Sequence, residues 1–198
     1  MLPHTLRDLI TYKQNLKREI ETIYVFRSFS PKHGTQSKLS RLAQAAYGSF
    51  ISGGRFNERG KFHVLYLSMD RDTCLAELDK YAERGAITLK KDLPHPLTLS
   101  PWEIKLSCVL DLTDASVREQ LLIDEQTLCQ TDWEKLQNFY EIIAPTQRIG
   151  ELAKDFGFVA LLTPSAARPG GRNINIFIDN ITPGRDVCEV CHLEEFPS

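Results

Sequence analysis

Arg55 follows the pair Gly53-Gly54 and precedes Phe56 and Asn57. Paired glycines let a backbone bend and approach a ligand closely, and the guanidinium beside them can hold a phosphate through two parallel hydrogen bonds. The other reading is a glycine turn with a solvated arginine. Arg27 lies in an apolar stretch, on one face with Val25 and Phe29 if the stretch alternates as a strand. A cation so placed is either paired with a carboxylate or lines a pocket. Tyr66, in Val64-Leu65-Tyr66-Leu67-Ser68, points away from Leu65 and Leu67. It is either an ordinary packed tyrosine or an aromatic wall for a flat heterocycle. Glu77 falls at the margin of a helical apolar stripe of Leu75, Leu78 and Ala82, with Cys74 and Tyr81 beside it. There it leans into a cleft or is solvated. Ser165, in Thr163-Pro164-Ser165-Ala166, closes a short apolar run. Strand ends hold ligand contacts, and serine after proline is also routine in turns.

These residues need a scaffold, and the apolar pattern supplies one. Leu6, Leu9, Ile10, Leu16 and Ile20 fall near a helical period and predict a helix over 5–21. Ile23 to Phe29 reads as a strand, 30–37 as a loop, and 38–47 as a short helix. A break at Ser52-Gly53-Gly54 and a turn at Glu58-Arg59-Gly60 precede a strand from Phe62 to Ser68. Asp70 can cap a helix from Arg71 to about Arg84, with Gly85 at its end. Trp102, Ile104, Leu106, Cys108, Leu110 and Leu112 alternate with mostly polar residues and predict a long half-buried strand over 100–112. Helices are expected near 114–122 and 132–143, with a third capped by Thr146 and ending at Gly157. Phe158 to Leu162 and Asn173 to Ile178 read as strands. Strands and helices mix without a regular β-α-β rhythm, so the fold class is α+β. One domain over 1–198 is expected, with its core at about 22–180 and a terminal strand or tail over 181–198.

The order of the segments is more specific than any one of them. Phe26-Arg27, Gly54-Arg55-Phe56-Asn57, Val64-Leu65-Tyr66, Leu75-Ala76-Glu77, Pro164-Ser165-Ala166 and Arg172-Asn173 follow one another, with Tyr66 eleven residues after Arg55 and Glu77 eleven after Tyr66. This arrangement resembles the RES domain over roughly residues 22–180. The resemblance implies a bacterial toxin of a toxin–antitoxin pair, with an ADP-ribosyltransferase-like fold: a split, mostly antiparallel β core with flanking helices that holds NAD in a cleft. It implies NAD as substrate, degraded by hydrolysis or phosphorolysis to cause growth arrest, or used in mono-ADP-ribosylation of a protein. The catalytic set would be Glu77, Arg27, Tyr66 and Ser165. Arg27 and Arg55 would bind the pyrophosphate or a ribose, and Tyr66 would stack on the nicotinamide. Phe56, Asn57 and Ser165 would complete the NAD contacts, and Glu77 would face the nicotinamide ribose. Physically, breaking the C1′–N bond leaves a cation-like sugar. A carboxylate beside it stabilises the charge as it develops, while nicotinamide leaves neutral. Phe26 stands where this family often has tyrosine, Phe56 where it often has tryptophan, and the segment over 86–145 is long. A non-catalytic binding module with the same fold is the third alternative.

Composition narrows the partners. A net charge of −2 and a pI of about 6.2 argue against nucleic acid as a partner, although Lys90, Lys91, Arg168 and Arg172 could form a local basic patch. No apolar run approaches membrane-spanning length, and the first residues lack signal-peptide features. A cytoplasmic protein is expected, with a secreted effector as the alternative. An antitoxin or immunity protein that blocks the cleft is the expected partner, with phosphate a possible co-substrate. The cysteines are expected to be free thiols. Cys188-Glu189-Val190-Cys191-His192 fits a haem-attachment pattern. The scattered His4, His33, His63 and His95 do not complete a zinc site, so a terminal strand with incidental thiols and no metal is the preferred reading.

Overall fold

The computed structural model describes residues 16–29, 38–83 and 98–191. Its longest strands, β1 (Lys17–Phe29) and β3 (Thr98–Asp111), pair antiparallel from Lys17 opposite Leu110 to Phe29 opposite Thr98. The sheet runs β1-β2-β5-β4-β3-β6, with β2 at Val64–Ser68, β4 at Ala160–Pro164, β5 at Arg172–Phe177 and β6 at Val187–Val190. The β1–β3 pairing joins β1, β2, β5, β4 and β3 into a closed barrel, and β6 lies beside the first half of β3. The pairings are antiparallel except β3 with β4. The α+β class therefore stands, but the expected split core is a closed barrel. Its weakest seam is β1 against β2, which meet through the pair Phe26 and Ser68.

The expected helix over 5–21 is corrected at its end. Lys17 to Glu21 belong to β1, and residues 5–15 lie outside the described residues. The register shifts between Arg18 and Ile20 and again between Ile20 and Ile23. Such bulges break strict alternation, so the buried Leu16 and Ile20 fall four residues apart and imitate a helical stripe. On β3 the alternation is intact: Trp102, Ile104, Leu106, Cys108 and Leu110 are all buried, as is Leu112 just beyond it.

Helix α1 (Lys38–Ser52) runs longer than expected and reaches the Gly53 break. Helix α2 (Arg71–Glu83) is capped as predicted, with the Thr73 backbone N–H donating to Asp70 Oδ1 at 2.8 Å. Its inward face differs from the expected stripe. Leu75 is 41% exposed, whereas Thr73 and Cys74 are buried. That rotation brings Glu77, three and four residues on from Cys74 and Thr73, inward from the margin. Between β3 and β4 the chain forms α3 (Ala115–Leu121), α4 (Glu125–Gln130) and α5 (Trp133–Asn138) in place of two longer helices. Asp114, Asp124 and Asp132 cap them in turn, which divides the segment into short pieces. Helix α6 (Pro145–Asp155) starts at Ala144 rather than at Thr146: the Ala144 N–H donates to Gln147 Oε1 at 3.0 Å, and Pro145 occupies the first helical position.

Cys188, on β6 opposite Ile104, is buried, and all five cysteines are free thiols. His192 lies outside the described residues. Burial pushes the Cys188 thiol from 9.0 up to about 12. The folded chain thus keeps a proton that the unfolded chain loses, so this group's contribution is complete below about pH 9 and declines above it. Between 9.0 and about 12 the loss is about 1.4 kcal/mol per pH unit. Urea unfolding of wild type and Cys188→Ala across the alkaline range should therefore give a shallower fall in stability for the variant.

Candidate active site

The strand register decides which side chains share a surface. Directly opposed residues point to the same face, so Tyr66 lies beside Asn175 and Ser68 beside Asn173 across β2 and β5, while Asn173 lies beside Thr163 across β5 and β4. The opposite face carries Leu65, Leu67, Leu162, Ile174 and Ile176, all buried in the core. The polar face forms the floor of a cleft of about 510 Å³. Helix α1 and the Gly53–Phe56 turn bound it on one side, α2 on another, and Trp133 and Glu134 of α5 reach it from the long segment between β3 and β4.

Glu77 projects into this cleft from α2. Its Oε1 accepts hydrogen bonds from Ser165 Oγ and from Asn173 Nδ2, each at 2.7 Å. Ser165 also accepts at Oγ from the N–H groups of Ala167 and Arg168, both at 3.1 Å, so its hydroxyl proton is committed to the carboxylate. Asn173 Oδ1 in turn accepts from Ser68 Oγ at 2.9 Å. Glu77 is thereby oriented from β5 and the loop after β4, and Oε2 receives no such bond among the described residues. The loop after β4 is itself tied to the start of α2, where Arg168 meets Asp70 at 3.1 Å and Asp72 at 3.6 Å. That engagement removes Arg168 from the basic patch considered above. Lys90 and Lys91 lie outside the described residues.

Arg27 lines the cleft from the end of β1. Its Nη1 is buried and has no hydrogen-bond partner among the described residues. Burial pushes the guanidinium below its ordinary value, with the Cys74 and Cys188 thiols working the other way. Of the two readings of this residue, the structure gives the pocket lining. A guanidinium in a protein keeps its proton, so an incompletely satisfied one in a cleft is chemically suited to an anion.

The glycine turn is built around Tyr66. The Tyr66 hydroxyl donates to Asn57 Oδ1 at 2.8 Å and accepts from the Phe56 N–H at 2.9 Å. Asn57 is fully buried and donates to the Ser49 and Phe62 carbonyls at 2.8 and 3.3 Å. A Cβ at Gly54 would collide with the Tyr66 hydroxyl, and Gly53 has φ of +77°. Both glycines are thus required by geometry. Gln147, 1% exposed, donates to the Gly54 and Asn57 carbonyls at 3.2 Å and fixes the turn from behind. Phe56 lines the cleft, whereas Asn57 and Ser165 stand behind its wall and act through Tyr66 and Glu77. Arg55 lines the cleft too, but its Nη1 donates to the Leu128 and Thr131 carbonyls at 3.1 and 3.0 Å.

The structure therefore gathers Arg27, Arg55, Phe56, Tyr66 and Glu77 around one cavity, with Asn57 and Ser165 as their supports. Asn173 and Thr163 enter the sequence reading only within the Arg172-Asn173 and Thr163-Pro164-Ser165-Ala166 segments, without a role, and Asn175, Lys80, Gln147 and Trp133 do not enter it. Asn173 and Asn175 carry the signal that could have found them: polar residues alternating with isoleucine on a strand whose polar face is covered.

A sequence model of one family, described as the RES domain, matches residues 25–196. The chain belongs to the RES domain family. Among its relatives is the NAD(+) phosphorylase MbcT of Mycobacterium tuberculosis, 26% identical over 146 residues, which cover 72% of this chain and 78% of that protein. A second, the probable NAD(+) phosphorylase Rv3189 of the same organism, is 29% identical over 136 residues, covering 67% of this chain and 58% of the relative. This RES domain also superposes on a chain from the crystal structure of the M. tuberculosis MbcT–MbcA toxin–antitoxin complex with a TM-score of 0.67, at 20% identity, covering 97% of this chain and 92% of that one. The barrel and its helices are thus a fold shared with that structure.

Arg55 now has a structural duty beside any contact with a ligand. Arg55→Ala should lower unfolding stability by about 1–3 kcal/mol, because charge-assisted bonds to two carbonyls are lost, and should also weaken anionic-ligand binding. Urea denaturation together with a ligand titration checks both effects in one variant.

Proposed function

We propose that this RES domain is an NAD-consuming toxin that cleaves the nicotinamide–ribose bond, with phosphate or water as acceptor, and so arrests growth. The observation that carries the reading is Glu77: a carboxylate oriented at Oε1 by Ser165 and Asn173, in the same cleft as the half-buried cation of Arg27. The relatives named NAD(+) phosphorylase support NAD as the substrate.

In this reading Arg27 holds the pyrophosphate and Tyr66 stacks on the nicotinamide, its ring angle set by the bonds at its hydroxyl. Glu77 lies beside the ribose C1′. As the C1′–N bond breaks, its electron pair stays on nicotinamide and positive charge grows on the sugar. The carboxylate stabilises that charge more strongly than it stabilises the ground state. Ser165 and Asn173 hold it in place beforehand, so little reorganisation is needed during the step. Asn57 and Ser165 are positioning residues. The mostly antiparallel barrel opening onto such a cleft supports an ADP-ribosyltransferase-like fold as part of the same proposal. The likeness to a toxin–antitoxin structure supports an antitoxin that covers the cleft, and the protein would act on the NAD of the cytoplasm.

Purified protein incubated with NAD should release free nicotinamide. Glu77→Gln should slow release by on the order of 10²–10³ and abolish growth arrest, with an unchanged melting temperature. An unaltered rate in that variant would remove Glu77 from the mechanism. Intact NAD after prolonged incubation with wild type, in the presence and absence of phosphate, would overturn the reading as a whole.

A further inference from the structure

Glu77 has a charged neighbour for which the steps above have no use. Lys80 stands three residues further along α2, which places it on the same helix face, and it lines the same cleft. Its Nζ donates to the carbonyl of Ala166, the residue next to Ser165. Ser165 is the donor that holds Glu77. Acid and ammonium thus both attach to one two-residue stretch of the loop after β4. The Cys129 thiol contacts the Ser165 carbonyl from α4. The other cations lining the cleft are placed differently. Arg27 projects from β1, and Arg55 anchors the α4–α5 segment.

The proposed reaction raises a charge problem that this pairing answers. An acceptor must reach C1′ close to the Glu77 carboxylate. Water does so at no electrostatic cost. Inorganic phosphate, a dianion near neutral pH, is repelled by the carboxylate in a partly enclosed site. A cation fixed one helical turn away offsets the repulsion and concentrates the anion where it is needed. A lysine suits the task, being a compact charge on a flexible stem with rotatable donors.

We propose that Lys80 binds inorganic phosphate at the Glu77 end of the cleft and thereby selects phosphorolysis over hydrolysis. The inference rests on the NAD-cleaving reading above. In the step, the C1′–N bond breaks with its electron pair leaving on nicotinamide. A lone pair on a phosphate oxygen forms the new C1′–O bond, and the remaining phosphate proton is released to solvent. No redox change occurs, and the products are nicotinamide and ADP-ribose carrying a phosphate at C1′. When water attacks instead, it loses one proton to solvent and the product is ADP-ribose.

The test uses the full chain, NAD and a phosphate series, with the two sugar products separated and quantified. Wild type should show saturable stimulation by phosphate, with the phosphorylated product dominant. Lys80→Gln keeps a donor for the Ala166 carbonyl but removes the charge. It should raise the phosphate KM by about 10- to 100-fold and shift the product ratio toward ADP-ribose, while the rate in phosphate-free buffer falls far less. Lys80→Arg should restore most of the phosphate affinity. Lys80→Gln that lowers both routes by one common factor would show that Lys80 acts only through the loop, and would overturn the proposal. So would a wild-type rate indifferent to phosphate, or a phosphate KM unchanged by the loss of charge. Absence of any nicotinamide release by wild type is a separate result, and it would overturn the underlying function instead.

Discussion

The two hydrogen bonds that converge on Glu77 Oε1 tie together parts of the chain that are remote in sequence. Ser165 arrives from the loop after β4 and Asn173 from β5, lying 88 and 96 residues beyond Glu77. Neither contact is possible unless β4 and β5 pair next to β2 and α2 lies across their ends. The constraint behind this is general: a polar group withdrawn from water needs a partner. On the cleft face of the barrel that requirement is met by a chain of side chains, from Ser68 through Asn173 to Glu77 and Ser165, with Asn175 bonded to Thr163 beside it. One network thus meets a folding requirement and leaves a carboxylate held in a fixed orientation.

The same logic governs the opposite wall. The Gly53–Asn57 turn could not be held by apolar packing, because its backbone groups need partners away from bulk water. Tyr66, Asn57 and Gln147 supply them. The price is local rigidity of sequence: Gly54 cannot carry a side chain without striking the Tyr66 hydroxyl. Arg55 extends the arrangement outward, since its bonds to Leu128 and Thr131 connect the turn to the helices that bring Trp133 and Glu134 to the cleft. The long segment between β3 and β4, whose sequence shows helices but not where they pack, contributes a wall of the cavity.

What the sequence conveys follows from the range of the forces involved. Alternation on β3, the Asp70 cap and the polarity of β2 are local, and each was legible. The closure of the sheet was not, because strand pairing across some 80 residues between β1 and β3 leaves no periodic trace, and two bulges made the first part of β1 look helical while Ile23 to Phe29 read as the strand it is. In the cleft, residue types with a recognised order, such as Arg27, Arg55, Tyr66 and Glu77, could be singled out. Asn175 was passed over and Asn173 stood in a quoted segment without a role, since alternation with isoleucine puts an asparagine on one strand face but does not say whether that face meets water or a covered cavity. Leu75 was misassigned for a related reason: apolar character alone does not say which of two adjacent helix faces turns inward.

Charge placement separates the three cations of the cleft although the sequence treats them alike. Arg55 spends hydrogen bonds on main-chain carbonyls, where a planar fork with several donors is useful. Arg27 is half-buried with its Nη1 withdrawn from solvent and unsatisfied, a costly state for a group that cannot shed its proton. Lys80 is attached to the loop that holds the acid through the Ala166 carbonyl. Arg55 is a structural anchor, whereas Arg27 and Lys80 bring positive charge to the cleft from β1 and from α2. Place in the fold, rather than residue type, distinguishes the three.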